Sequence, residues 1–285
     1  MALKFGGKDN DLSSFENGKV VVVPVPYGKT VSYKKGTDKA PAAILKSSDN
    51  LELFDEELKK ETYKIGISTL PSLNVKGCRV EKMIKKVEKA LSNVYKKKKF
   101  PVVIGGEHSV TIGAVRAAKK YYKDLSVLYF DAHYDLKDTY DGSKYSHACV
   151  ARRLLETVKI VEVGVRSLSN EEHDFLPNNN IKVITMLDAL KNQDWCKGAK
   201  GFLSEHVYIS IDLDVFDPSI MPALGTPEPG GMGWYEFLHC IKNIIQDKKI
   251  VGFDVVEHCP IKNMIAPDFT AARLIYKVLG YIKWT

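Results

Sequence analysis

The sequence predicts a three-layer α/β/α fold around a mainly parallel sheet of about eight strands, and three observations carry that reading. Short runs rich in Val and Ile recur along the 285-residue chain, amphipathic helical patterns lie between several of them, and no Gly-, Ser- or Pro-rich linker or internal repeat divides the sequence. Continuous apolar runs belong to strands buried on both faces, and strand–helix alternation is the pattern of a parallel sheet covered by helices. At about 150 residues per domain the length permits two domains or one large one. Without a linker, a single domain over residues 1–285 is expected.

The strand-like runs are 20–25, 63–68, 100–105, 126–131, 160–165, 182–185, 207–212 and 250–255. Between 80 and 94, Val80, Met83, Ile84, Val87 and Leu91 mark one face of a helix, because residues three and four apart share a side. Residues 109–122, 235–245 and 269–282 read similarly. The first strand runs into Pro24-Val25-Pro26-Tyr27-Gly28, not into GxGxxG, and no GxxxxGKS/T loop occurs. Neither dinucleotide-binding nor phosphate-loop chemistry is predicted.

Composition excludes several classes. A chain with 45% hydrophobic and 27% charged residues is ordinary for a globular protein with a sizeable core. No apolar run approaches the roughly 18 residues of a membrane helix, and the stretch MALKFGGKDNDLSSFENGK lacks the apolar segment of a secretory leader. Cys78, Cys149, Cys196, Cys240 and Cys259 are scattered and form no CxxC pair, which predicts free thiols in a reducing cytoplasm. The net charge of +7 is the unusual number, but only six of the 42 basic residues are Arg. The densest cluster, residues 96–99, has only Tyr95 and Phe100 as aromatic neighbours. A solvated Lys surface is expected, with no nucleic-acid or membrane partner.

Three segments concentrate His and Asp where strands end: Ile104-Gly105-Gly106-Glu107-His108-Ser109, Phe130-Asp131-Ala132-His133-Tyr134-Asp135 and Ser210-Ile211-Asp212-Leu213-Asp214. Ligands gather at the carboxyl ends of strands in open α/β sheets. An extended backbone would aim Asp131, His133 and Asp135 to one side, and Asp212 with Asp214 likewise. With His108, six ligating side chains meet at one rim. Desolvating four carboxylates without cations is costly, so the convergence predicts divalent metal. Two His and four Asp suit a pair of ions bridged by shared carboxylates, which can activate a water between them. Oxygen and imidazole donors without thiolate favour two Mn²⁺ over structural Zn²⁺. Each segment alone could be a strand-end turn; all three together, each behind a buried-type strand, are not explained that way.

These motifs resemble the signatures of the ureohydrolases, the family of arginases, agmatinases and related guanidino hydrolases. Further segments extend the resemblance over about 20–260, in the family's order: Pro24 to Gly28, Lys35-Gly36-Thr37-Asp38-Lys39-Ala40-Pro41, Val163-Gly164-Val165-Arg166-Ser167, Gly225-Thr226-Pro227-Glu228-Pro229-Gly230-Gly231 and Asp254-Val255-Val256-Glu257. The resemblance implies the arginase/deacetylase-like fold. It implies that His108, Asp131, Asp135 and Asp212 hold one Mn²⁺ and that His133, Asp131, Asp212 and Asp214 hold the other, Asp131 and Asp212 bridging. A bridging hydroxide would then attack the guanidinium carbon, giving urea and an amine. His147 occupies the place of the proton-shuttling His, with Ala148 where Gly is frequent, and Glu257 that of the carboxylate pairing with the guanidinium. Homotrimers or homohexamers are implied as well.

For substrate, the loop Leu136-Lys137-Asp138-Thr139-Tyr140-Asp141-Gly142-Ser143-Lys144 does not look like the arginase loop that grips an α-carboxylate, and Ser169 stands approximately where arginases carry an Asp. Asp138 and Asp141 suit a substrate that ends in an ammonium, which predicts agmatine, with Glu257, His147, Asp138 and Thr226 as contacts. Lys137 and Lys144 leave a guanidino acid such as guanidinobutyrate or guanidinopropionate as the alternative, with arginine beside it. Pro222-Ala223-Leu224-Gly225 departs from the family's usual run before the glycine loop. A non-catalytic guanidino-compound binder would show decayed ligands, and a single-zinc deacetylase needs only one Asp-His-Asp set; all six ligands are intact here. His173, His206, His239 and His258 are expected to serve surface or packing roles, His258 and Cys259 being candidates for the pocket wall beside Glu257. Trp234 and Tyr235 are expected in the core or an interface.

Overall fold

A computed structural model describes residues 3–6, 11–176, 180–192 and 195–284, so part of the N-terminal stretch read above for a leader lies outside it. The strands are β1 (Val20–Pro24), β2 (Phe54–Asp55), β3 (Lys60–Glu61), β4 (Ile67–Thr69), β5 (Phe100–Ile104), β6 (Ser126–Phe130), β7 (Lys159–Val165), β8 (Ile181–Thr185), β9 (His206–Asp212) and β10 (Lys249–Val256). Eight of them form a sheet in the order β4-β1-β5-β10-β9-β6-β7-β8, all pairs parallel, while β2 and β3 make a separate two-stranded hairpin. The helices are α1 (Ala40–Ser48), α2 (Val80–Lys96), α3 (Val110–Tyr121), α4 (Val150–Leu154), α5 (Asn170–Phe175), α6 (Met186–Lys191), α7 (Trp195–Phe202), α8 (Trp234–Ile245) and α9 (Ala266–Tyr281).

Alternation along each strand divides the interior into two cores, one on each face of the sheet. Val20, Val22, Val207, Ile209 and Ile211 pack with α1, α6, α7, α8 and α9. Val21, Val23, Val127, Tyr129 and Tyr208 pack with α2, α3 and α4. Successive side chains of a strand point to opposite faces, so a strand sandwiched between helices must be apolar at every position. The stripe expected between 80 and 94 is buried in full, Val94 and Tyr95 extending it to the end of α2. The predicted three-layer architecture is the observed one. Among the described residues, no helix is long and apolar enough to cross a membrane.

One predicted strand is displaced. Within 63–68, residues Thr62–Ile65 form a 3-10 turn, and strand pairing begins only at Ile67. Gly66 is the cause: its φ of 80° reverses the chain, and a Cβ there would stand 2.9 Å from Gly18 Cα. The local apolar run therefore cannot stay extended through that point.

At the other end of the sheet, the turn after β5 passes so close to the chain leaving β1 that a Cβ on Gly106 would lie 1.8 Å from the Tyr27 carbonyl oxygen. In this contact the Glu107 N–H donates to Tyr27 O at 2.8 Å, and the Glu257 N–H donates to Gly106 O, also at 2.8 Å. Gly106→Ala must push two backbones apart in a packed region. It is expected to lower stability by about 2–3 kcal/mol, read as a lower urea midpoint at an unchanged slope.

Candidate active site: an acidic cluster at the strand ends

The four central strands β5, β10, β9 and β6 are neighbours in the sheet, and the chain leaving each carries one part of the cluster. His108 follows β5, Glu257 follows β10, Asp212 ends β9 with Asp214 just beyond, and Asp131, His133 and Asp135 follow β6. The convergence expected from sequence is present, but its local geometry differs. β6 ends at Phe130, so residues 131–135 are loop, and Asp135 adopts a left-handed φ of 49°. Leu213–Val215 is a 3-10 turn whose first N–H groups need a cap, supplied by Asp212 Oδ1 accepting from Asp214 N at 2.9 Å. Turns at strand ends, not strand alternation, aim these carboxylates.

Three of the Asp residues share one arrangement. Asp131 Oδ1 accepts from His133 N (2.6 Å), Asp212 Oδ1 from Asp214 N, and Asp214 Oδ1 from Ala132 N (2.9 Å). Each Oδ2 points inward. Asp131 Oδ2 and Asp212 Oδ2 lie 3.1 and 3.0 Å from His108 Nδ1, and Asp214 Oδ2 lies 2.8 Å from His133 Nδ1. Asp135 Oδ2 stands 3.4 Å from His108 Nδ1 and accepts from the Tyr129 hydroxyl at 2.9 Å. Two groups of donor atoms result: His108 with Asp131 and Asp212, and His133 with Asp131 and Asp214, Asp131 being common to both.

The residues fit metal ions by chemistry as well as by place. Asp131 Oδ2 is buried and makes no hydrogen bond, an arrangement that leaves a charge uncompensated unless a cation meets it. Desolvation, reinforced by the neighbouring carboxylates, pushes the acids of Asp135, Asp212 and Asp214 up. Against its own desolvation, Asp131 is held down by the neighbouring imidazoles of His108 and His133. His133 rises to about 12, its desolvation outweighed by the charge of Asp214 and the contact with Asp131. A cluster that drives a half-buried imidazole to hold a proton is one that draws in positive charge.

A second layer fixes His108. Its Nε2 lies 2.9 Å from Ser210 Oγ, and Ser210 donates to Asp254 Oδ1 at 2.7 Å, while Thr111 donates to Asp254 Oδ2 at 2.9 Å. With Nε2 turned to Ser210, Nδ1 is the ring nitrogen that faces the cluster, where a metal ligand must present it. Ser210 and Asp254 are paired in the β9–β10 register. Both stand inside motifs quoted from the sequence without a role of their own; polar residues inside buried strands are the signal that marks them. Arg166 was quoted only as part of a motif. It donates to the carbonyls of Asp214 (2.8 Å), Glu228 (2.7 Å) and Pro229 (3.0 Å), tying the glycine loop to the turn that carries Asp214.

A cavity of about 260 Å³ opens onto the cluster. It is lined by all six predicted ligands and by His147, Glu257 and Thr226. Glu257 has a left-handed φ of 61°, and its Oε1 accepts from the His108 N–H at 2.6 Å. His147 begins a 3-10 turn, with Nε2 3.3 Å from Ser32 Oγ and its ring edge-on to Tyr140 at 5.9 Å. Burial, aided by nearby imidazoles, lowers His147 to about 4. Asp138 is not brought into this cavity: it is exposed and accepts from Arg153 at 2.7 Å. Lys137 does line the wall, as does Glu172, to which it is bonded at 3.2 Å. Ser169 caps α5, donating to the same Glu172 at 2.7 Å. His206, His239 and His258 pair with Asp124, Asn243 and Asp268, and His173 lies beside Asp174.

The model of the arginase family matches residues 18–280. An N(1)-aminopropylagmatine ureohydrolase from Synechocystis sp. is 37% identical over 95% of this chain and 91% of its own length. The agmatinase of Pyrococcus horikoshii is 36% identical over 91% of this chain and 90% of its own. The crystal structure of the agmatine ureohydrolase of Thermoplasma volcanium superposes with a TM-score of 0.87 at 32% identity, covering 99% of this chain and 94% of that one. The acidic cluster, the sheet that builds it and these likenesses agree: the chain belongs to the arginase family, whose agmatinase-like members are metal-dependent amidinohydrolases.

Proposed function

We propose that the chain hydrolyses the guanidinium group of agmatine to putrescine and urea, with two Mn²⁺ held in the acidic cluster. The observation that carries this reading is Asp131, a buried carboxylate common to two His/Asp groups and with one oxygen left without a hydrogen bond. His108, Asp131, Asp135 and Asp212 would hold one ion, and His133, Asp131, Asp212 and Asp214 the other. The chemistry supplied by a bound pair is Lewis-acid activation of water near neutral pH.

The remaining work falls to the chain itself. Glu257 presents a carboxylate from the wall of the cavity, and two oxygens match the N–H edge of a planar guanidinium. The C–N bond to the alkyl chain breaks, and the departing amine nitrogen must gain a proton. His147, on the same cavity, carries it from the nucleophilic side through Nε2. Its low proton affinity in the free site makes it a ready donor once charged. Thr226 is the contact proposed from the glycine loop; Asp138, committed to Arg153, is left out.

The cavity also supports an amine-tailed substrate over a guanidino acid. Lys137 is the one Lys or Arg on its wall among the described residues, and Glu172 already neutralises it. At the rim, Glu228 Oε1 lies 3.8 Å from His133 Nε2 and accepts from Ser167 Oγ at 3.1 Å. A carboxylate tail would find no free cation there; an ammonium finds acidic neighbours. A second reading, N(1)-aminopropylagmatine, is favoured by the names of relatives 34–37% identical from Synechocystis, Thermococcus kodakarensis and Thermus thermophilus. Five free cysteines suit a reducing cytoplasm as the working compartment, and the family resemblance suggests three or six copies per assembly.

Urea release after Mn²⁺ loading is expected to be fastest with agmatine or its aminopropyl derivative. It is expected to exceed release from arginine, guanidinobutyrate or guanidinopropionate by about tenfold or more, the equivalent of about 1.4 kcal/mol in kcat/KM. Arginine turned over faster than both amines would overturn the choice. Asp212→Asn is expected to cost more than about a hundredfold in kcat, beyond what loss of an outer-shell partner costs, with bound metal falling below two ions per chain. His147→Asn should keep both ions by elemental analysis yet lose about 10²–10⁴ in kcat. Near-normal turnover would remove His147 from the chemistry.

A further inference from the structure

We propose that Thr30 is the positioning residue for His147, the middle link of a chain that starts at the buried carboxylate of Glu107. The inference rests on the proton-transfer role given to His147 above. Glu107 is fully buried in the glycine turn before His108, yet it is not among the metal ligands. Its two oxygens hold Thr30 twice. Oε2 accepts from the Thr30 backbone N–H at 2.6 Å, and Oε1 accepts from the Thr30 hydroxyl in a very short contact. Ser109 donates to the same Oε1 at 2.6 Å. A hydroxyl has one hydrogen, and here it is committed to Glu107, which turns the oxygen's lone pairs outward. One of them accepts from the His147 backbone N–H at 3.0 Å.

That amide needs a partner for a reason internal to its own segment. His147 is the first residue of the 3-10 turn His147–Cys149, and Ser146 before it makes no capping hydrogen bond. The first N–H groups of a helical turn have no partner inside it, so Thr30 caps this turn from 117 residues away. Farther along the same loop, Ser32 Oγ meets His147 Nε2 at 3.3 Å. Beyond it Lys34 Nζ donates to Cys259 O at 3.4 Å, and Cys259 Sγ donates to Lys35 O at 3.5 Å. The loop is thus fastened at Glu107 on one side and Cys259 on the other, and its middle touches both the backbone and the ring of His147. Successive hydrogen bonds polarise one another, so losing the central hydroxyl releases His147 without disturbing the cluster of carboxylates.

Thr30→Val tests this, because it keeps the shape and the backbone N–H to Glu107 while deleting the hydroxyl. With the full Mn²⁺-loaded chain and agmatine, kcat is expected to fall about 10- to 100-fold, the scale of a misplaced reacting group, with KM within about threefold and metal content unchanged. Thr30→Ser, which restores the hydroxyl, should return kcat to within about threefold of the wild type. In the double variant with His147→Asn, Thr30→Val should cost no further factor, because contacts acting through one residue are not additive. The second readout needs no turnover. In the Mg²⁺-loaded chain, one of the seven histidine ring signals is assigned to His147 by its loss in His147→Asn. That signal should move in Thr30→Val and return in Thr30→Ser. A Thr30→Val chain with wild-type kcat, losses that multiply in the double variant, or an unmoved His147 signal would each overturn the proposal. If the wild type releases urea from no guanidine, the proposed function falls, and the ring signal alone decides the positioning.

Discussion

Four Asp carboxylates and two imidazoles share a buried space at the ends of three central strands, β5, β6 and β9, and that electrostatic load is the constraint on which the rest depends. Burying unpaired charge is among the costliest acts in folding. The chain meets part of the cost with its own backbone: the N–H groups of Ala132, His133 and Asp214 each satisfy one carboxylate oxygen. That leaves the second oxygen of each pointing inward, where only positive charge stabilises it. Without metal, His108 and His133 are pushed toward holding protons. Folding thereby prepares a cation site before any cation arrives.

Such a site must be held from outside, since its members repel one another. Apolar packing on both faces of the sheet fixes the strand ends, and polar devices then fix the turns. Arg166 gathers carbonyls from the Asp214 turn and from the glycine loop. A planar guanidinium with five donors can do this where a Lys could not. The Ser210–Asp254 pair reaches His108 from below through the β9–β10 register. Gly106 lets the chain leaving β1 close over the turn after β5, and that contact puts the loop bearing Thr30 and Ser32 beside His147. Loss of any one of these devices loosens geometry without removing a ligand.

The parts legible in the sequence were those written in consecutive residues. Parallel strands buried on both faces must be apolar throughout, so seven of the eight runs coincided with strands to within a residue or so, and the exception failed at Gly66, whose backbone reversal hydropathy does not register. The His and Asp motifs were legible because their residue types carry the chemistry, although turns and not extended strands aim them. Short helices escaped: α5 and α6 are announced by Ser169-x-x-Glu172 and Thr185-x-x-Asp188 boxes, which a search for apolar periodicity passes over. Asp138 misled because a surface carboxylate near a motif looks the same in sequence whether it faces a pocket or an Arg. The Glu107–Thr30–His147 chain joins three distant segments, so no local pattern could reveal it.

The net charge of +7 and the cationic substrate proposed above stand in apparent conflict, which screening resolves. Several exposed Lys have a carboxylate of their own nearby, which leaves the net excess unchanged but makes the surface mixed in sign: Lys64 with Glu61, Lys120 with Glu88, Lys200 with Asp247, Lys242 with Glu57 and Lys249 with Glu205. In the dense run at 96–99, Lys99 donates to the carbonyls of Glu16 and Gly18. Exposed charges act over about 8 Å at physiological salt, so the surface excess is strongly screened by solvent. In the cavity, charge carried by Asp131, Asp135, Asp212, Asp214 and Glu257 is screened far less, because these carboxylates are buried. A guanidinium therefore meets the local sign of the site and not the global sign of the chain. The same locality explains why the motifs, and not the composition, point to the chemistry.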